Sequence, residues 1–268
     1  MRWKLVLAIA VAAGGAAIAQ DRPRGYLEAG EFDVIPVIGP APVVGDPRYE
    51  SDRSIFFQTR KLVGTPRYEL ATEDAKGSAA HLLEAFSCSV GVELTPQNSP
   101  KLAALIQRAV MDTAGQAGRA KDFYKRERPY VIDPGQTVCQ KPEELVDRNT
   151  GKASYDYPSG HSTVGWTYAT VIASAAPDRA QAALERGRAY AESRFVCGMH
   201  NVTAVQAGIL TAASTMAVVQ TKPAYQADLA AAREELTALR RTGTAPASCD
   251  AEKALVAQRV MPGLVEQP

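Results

Sequence analysis

After its first nineteen residues this chain has no apolar run that reads as a bilayer span, which needs about 20 consecutive apolar residues. That lack argues against an integral membrane protein. Charge of one sign is equally scarce: 30 Lys and Arg face 29 Asp and Glu, so no basic excess points to nucleic acid as a partner. No Cys-x2-Cys pair occurs among Cys88, Cys139, Cys197 and Cys249, which speaks against a structural zinc site. Convincing strand patterns, linkers and internal repeats are also missing. Histidine is rare, with only His81, His161 and His200, so any imidazole chemistry must come from these three.

What is present begins with a leader. Arg2 and Lys4 form a basic start, Leu5 to Ala13 an apolar stretch, and Ala17-Ile18-Ala19 a small-residue cleavage site. That order is the pattern of a secretory signal over residues 1–19, and Gly14 and Gly15 dilute it further as a membrane anchor. The expected mature part, 20–268, is a single domain, periplasmic or secreted. An even set of cysteines in an exported chain allows up to two disulfides in three connectivities.

Helix punctuation recurs along the chain. Asp46-Pro47, Thr65-Pro66, Ser99-Pro100 and Pro177-Asp178 each place a capping residue or a helix-starting proline before a periodic segment, and Gly64 closes the first. From Pro100, apolar residues at Leu102, Leu105, Ile106, Val110 and Met111 keep three- and four-residue intervals, predicting a helix that ends near Pro129. Further helices are expected over His161 to Ala175, Asp178 to Arg194, Val202 to Val219 and Tyr225 to Arg240. The Pro-rich opening from Ile35 to Val44 reads as extended, and Val131 to Glu144 and Asp147 to Tyr157 read as loops. The fold class is all-α, a compact helical bundle.

Three short segments carry the chemistry. Lys121 and Arg128 lie seven apart on one expected helix, almost two full turns, so both side chains leave on the same face. Pro158-Ser159-Gly160-His161 precedes an apolar helical run, so the Ser159 hydroxyl and the free amides of Gly160 and His161 would face an anion at a helix N-terminus. Arg194 would add a planar guanidinium fork, followed by His200 across a break at Gly198. Each segment alone has a plainer explanation: a solvated charge run, an ordinary helix cap, a packed histidine. Their co-occurrence selects phosphate. His81 lies outside all three and reads as structural. Cys139 is the favoured partner of Cys197, because both flank these segments.

The spacing resembles the acid phosphatase and vanadium haloperoxidase superfamily, whose pattern is K-x6-RP, then PSGH, then SR-x5-H-x3-D. Gly64-Thr65-Pro66-Arg67, Ala85-Phe86-Ser87-Cys88 and Gly91-Val92-Glu93-Leu94 extend the likeness to the bacterial class A non-specific acid phosphatases. The resemblance implies an exported enzyme that hydrolyses small-molecule phosphate monoesters, releases inorganic phosphate and uses neither metal nor cofactor. It implies His200 as the nucleophile that becomes a phosphohistidine, His161 as the acid for the leaving oxygen, and Lys121, Arg128, Ser159, Gly160 and Arg194 as phosphate ligands. A protonated His161 beside a neutral His200 would favour mildly acidic conditions.

One letter departs from the pattern. Ala204 stands where the family places the aspartate that orients the nucleophilic ring. Gln206, Thr203, a backbone carbonyl or water are the candidate substitutes. The departure keeps a second function in view, a phosphate or oxyanion binder without turnover, and the shared cradle keeps a third, vanadate-dependent halide oxidation. A homodimer through exposed helix faces is also expected as an option.

Overall fold

The computed structural model describes residues 24–146, 151 and 154–261; the leader expected over residues 1–19 lies outside them. Among the described residues the chain is all-α, without a strand. Its helices are α1 (Ile35–Ile38), α2 (Pro47–Thr59), α3 (Pro66–Glu73), α4 (Ala79–Glu84), α5 (Ser87–Val90), α6 (Pro100–Tyr124), α7 (Pro129–Ile132), α8 (Gly160–Ala175), α9 (Ala180–Val196), α10 (Val202–Val219), α11 (Pro223–Thr242) and α12 (Cys249–Val256).

The starts follow the punctuation. Asp46 accepts from the Arg48 amide ahead of Pro47, and Thr65 accepts from the Tyr68 amide ahead of Pro66. Proline in the first turn removes a donor that would have no helical partner. Ser99 does not cap α6; its hydroxyl donates instead to the Thr95 carbonyl at 2.7 Å.

Helix α6 buries Leu102, Leu105, Ile106, Ala109, Thr113, Gln116, Ala117 and Ala120, a single stripe at helical spacing. It stops earlier than expected. Lys125 turns into the left-handed region (φ 50°), and Arg128 is extended (ψ 153°) ahead of Pro129. A residue before proline avoids the helical region because the ring crowds its amide and Cβ. Lys121 and Arg128 therefore do not share a helix face. The Pro-rich opening is not wholly extended either, since Pro36 sits in the first turn of the short α1.

Helix α8 lies between α6, α9 and α10, and with α11 they enclose the main core, which includes Leu105, Ile106, Tyr168, Ile172, Tyr190 and Met216. A second core, including Tyr68, Phe195, Val196, Met199, Val202 and Val205, joins α3, the end of α9 and the start of α10. Contrary to the sequence reading, α10 is long and apolar enough to cross a membrane by length and composition. Here Ala204, Ala207, Gly208, Thr211, Ala212 and Thr215 on it are buried inside the fold, against α6, α8 and α9. Gly208 permits a close approach to α8: a Cβ there would lie 2.5 Å from the Ser159 carbonyl oxygen.

Both disulfides form. Cys88–Cys249 ties α5 to α12, and Cys139–Cys197 ties the loop after α7 to the end of α9.

Candidate active site

The three segments meet at the N-terminus of α8. Ser159 caps this helix, accepting from the Ser162 amide at 3.3 Å and the Ser162 hydroxyl at 2.9 Å, which leaves its own proton free to donate. The Ser159 amide donates to the Ala204 carbonyl at 2.8 Å, so α10 fixes the height of this turn. Lys121 arrives from the last turn of α6. Its Nζ donates to the Tyr155 carbonyl and, at 3.5 Å, to that of Asp156. A Cβ on Gly160 would lie 3.8 Å from Lys121 Cε, which places the lysine stem over the glycine turn.

Arg194 and His200 hang from one turn. The Met199 and His200 amides both donate to the Arg194 carbonyl, at 3.0 and 3.2 Å. Gly198, at φ 79°, allows that reversal, and Arg60 fills the space a side chain there would need. Cys139 reinforces the turn through its disulfide and through its amide, which donates to the Cys197 carbonyl at 3.1 Å.

His200 is buried and bonded on both nitrogens. Nδ1 lies 2.8 Å from the Asp156 carbonyl oxygen and 2.9 Å from Asp156 Oδ1. On the other side Arg128 Nη1 donates to Nε2 at 3.0 Å. The remaining Arg128 donors reach the Met199 carbonyl (2.9 Å), the Ser154 carbonyl (2.7 Å) and the Ser154 hydroxyl (3.2 Å). Asp156 belongs to a second layer. Its carboxylate also accepts from the Asn201 amide at 3.2 Å and the Asn201 side chain at 2.8 Å, and lies 3.4 Å from Arg126. Arg126 in turn pairs at 2.8 Å with buried Asp52, which accepts the Thr203 amide at 2.9 Å.

The opposite wall is different. Arg194 Nη2 donates to Gln140 Oε1 at 2.6 Å, while its Nε and Nη1 are buried without a partner, as is His161 Nε2. Buried guanidinium donors without acceptors are costly, and a tetrahedral oxyanion supplies the acceptors they lack. Burial and Arg128 together pull the Arg194 guanidinium down to about 10. Arg194 and burial hold the His161 imidazolium well below its ordinary value, with Arg128 and Lys121 adding to the effect. Burial does the same to His200, with Arg128, Lys121 and Arg194 behind it. The free site therefore disfavours the charged form of both rings, and a bound anion would offset the cations that oppose the protonated His161 expected from the sequence.

All seven residues singled out from the motifs lie in this region. Arg128, Ser159, Arg194 and His200 form the buried floor, and Lys121, Gly160 and His161 are half-buried on the open side. The substitutes considered for the missing carboxylate fare differently. Gln206 is exposed, and Thr203 is engaged by Asp52. A backbone carbonyl does reach Nδ1, that of Asp156, and it brings a carboxylate with it. Sequence reasoning missed Asp156, Arg126, Asp52 and Gln140. The one signal for Asp156 was its place two residues before the proline of the Pro158-Ser159-Gly160-His161 segment. His81 lies outside the site and bonds the Glu73 carbonyl at 3.0 Å.

Comparison with known proteins identifies the family. The profile of the PAP2 superfamily matches residues 102–227, a span that holds the seven motif residues but not Asp52. An acid phosphatase of Zymomonas mobilis is 36% identical over 214 residues, covering 80% of this chain and 79% of that protein. A non-specific acid phosphatase of Salmonella typhimurium is 36% identical over 198 residues, 74% of this chain and 77% of the relative. Another from Providencia stuartii is 30% identical over 211 residues, 78% and 83% of the two chains.

Proposed function

Because the chain belongs to the PAP2 superfamily, we propose that it is an exported acid phosphatase that hydrolyses phosphate monoesters through a phosphohistidine on His200, without a metal ion. The observation that carries this reading is the asymmetry of the two rings. His200 is buried on the floor behind Arg128, whereas His161 stands on the open side with Nε2 unpartnered. A phosphoryl group between them has its attacking nitrogen at His200 and its leaving alcohol on the His161 side.

Arg194 Nε and Nη1, Lys121, Arg128 and the Ser159–Gly160 turn bind the three non-bridging oxygens. Arg128 Nη1, which caps His200 Nε2 in the free site, moves its hydrogen bond to a phosphate oxygen and exposes the ring's lone pair. His200 Nε2 forms a bond to phosphorus as the P–O bond to the alcohol breaks, and His161 gives its proton to the departing oxygen. Water then attacks phosphorus, its proton passes to His161, and His200 leaves. The fixed cations supply the charge stabilisation that a divalent ion provides in other phosphatases. The leader at 1–19 and the disulfides Cys88–Cys249 and Cys139–Cys197 support an oxidising, periplasmic or secreted location.

The test is p-nitrophenyl phosphate hydrolysis in EDTA, with acid-quench trapping of the phosphoenzyme. The native protein is expected to turn over and to trap phosphate, and His200→Ala to do neither. Phosphate binding without native turnover, or full activity in His200→Ala, would overturn the reading.

A further inference from the structure

We propose that Asp156 is the positioning residue for His200, a carboxylate relocated from the start of α10 at position 204 to the loop ahead of α8 and held there by Arg126 and Asn201. The inference rests on the phosphatase reading for its consequence, and on geometry for its substance. The ring's Nδ1 has Asp156 Oδ1 at 2.9 Å and the Asp156 carbonyl at 2.8 Å. Both are acceptors, so Nδ1 carries the proton and Nε2 the lone pair that faces the phosphate.

The surroundings are built for an anion at 156. Every group that reaches this carboxylate is a donor: the Asn201 amide, the Asn201 side chain, Arg126 and His200 Nδ1. Burial pushes the carboxyl up, and Arg126 and the Asn201 side chain pull against it. Asn201 is at the N-cap of α10, where an asparagine side chain ordinarily bonds the first helical amides. Here it makes no such bond and donates to Asp156 instead. Position 204, meanwhile, offers the ring no acceptor side chain. Ala204 is fully buried in a small apolar cluster with Tyr157 and Ala207, and its carbonyl holds the Ser159 amide.

Charge gives Asp156 a second effect. Arg126 has its own buried partner in Asp52 at 2.8 Å, so Asp156 is free to offset one of the three phosphate-facing cations. Lys121, Arg128 and Arg194 less one carboxylate leave two positive charges, the complement of a phosphate dianion.

The experiment separates positioning from packing. In native protein, 15N NMR of the imidazoles is expected to show His200 protonated at Nδ1; the chain has three histidines, so substituting His81 and His161 assigns the signals. Asp156→Asn should lose about 10²- to 10⁴-fold in kcat, by analogy with loss of a triad aspartate, while inorganic phosphate inhibits at least as strongly because the site is more positive. Ala204→Asp alone should lower activity by adding a second carboxylate, yet raise it in an Asp156→Ser background. An Nε2-protonated His200 in native protein would overturn the proposal without needing any variant. So would an unchanged kcat in Asp156→Asn, or a loss of phosphate binding as large as the loss of turnover. Failure of the phosphatase reading is seen separately, as native protein that does not hydrolyse p-nitrophenyl phosphate.

Discussion

The two walls of the site differ in whether the groups that face the cradle are hydrogen-bonded. Behind His200 both ring nitrogens and the Asp156 carboxylate are matched, through Arg128, Arg126 and Asn201, with Asp52 and Thr203 behind them; the atoms left over there, Arg126 Nε and Asn201 Oδ1, lie outside the ring's own bonds. Across the cradle, Arg194 Nε, Arg194 Nη1 and His161 Nε2 are buried and unmatched. A network that saturates the ring nitrogens holds the imidazole in one orientation and resists change. An unsaturated one pays a desolvation penalty in the free protein that an anion removes on binding. One wall fixes geometry, and the other supplies affinity.

Removing the unmatched wall should have the largest effect. Arg194→Ala deletes two waiting donors and one charge, and a loss of about 10³-fold in kcat/KM is expected, with weaker inhibition by inorganic phosphate. Tm should hold or rise, since a buried cation without a carboxylate partner is removed. A variant that loses activity and stability together would erase the distinction between the walls.

On the matched wall the expected loss is in stability. Asp52 is fully buried and touches no phosphate ligand. Asp52→Asn leaves Arg126 to Asp156 alone, and urea unfolding should show about 3 kcal/mol less stability, the usual scale for breaking a buried ion pair. Turnover should fall less than in Asp156→Asn, because Arg126 drawn fully onto Asp156 blunts its charge without removing it.

The difference between the walls is also a difference in what the sequence displays. Arg194, His161 and Ser159 sit in motifs whose spacing is local, and α10 begins and ends at Val202 and Val219, as its apolar pattern predicts. Asp156 acts on His200 across 44 residues of chain, and Asp52 on Thr203 across 151. In a loop rich in Asp, Asn and Gly, one aspartate looks like any turn residue, and nothing local marks it as a ring's partner. Arg128 shows the converse error: its spacing from Lys121 suggested one helix, but Pro129 forbids that and the two cations converge through a turn. Ala204 was the useful clue, since a required acceptor missing at one position must enter from another.

The pH profile probes the open side. Arg194 and burial hold the His161 imidazolium well below its ordinary value, and burial with Arg128 does the same for His200, so in the proposed mechanism the proton that His161 gives to the leaving oxygen must enter with the substrate or upon its binding. A phosphate monoester loses its second proton near pH 6. Above that value kcat/KM should fall tenfold per pH unit, and the free His161 imidazolium, lowered by Arg194, adds no second break in the acid-favoured direction. A profile flat to pH 8 would mean that the leaving group departs without a proton, and would remove His161 from the chemistry.

The smallest effect should come from Gln140, which sits where the two kinds of bonding meet. It accepts from Arg194 Nη2 at 2.6 Å and donates to the Ala75 carbonyl at 3.2 Å, and the neighbouring Cys139–Cys197 disulfide keeps its loop close. In the free site Gln140 occupies the one Arg194 nitrogen that already has a partner, so a bound phosphate must compete with it there. A neutral acceptor competing for that nitrogen contributes about 1 kcal/mol net, so Gln140→Ala should tighten inhibition by inorganic phosphate by about fivefold and leave Tm unchanged. Weaker phosphate inhibition would show instead that Gln140 holds Arg194 in its binding pose, which would place this side chain with the matched wall.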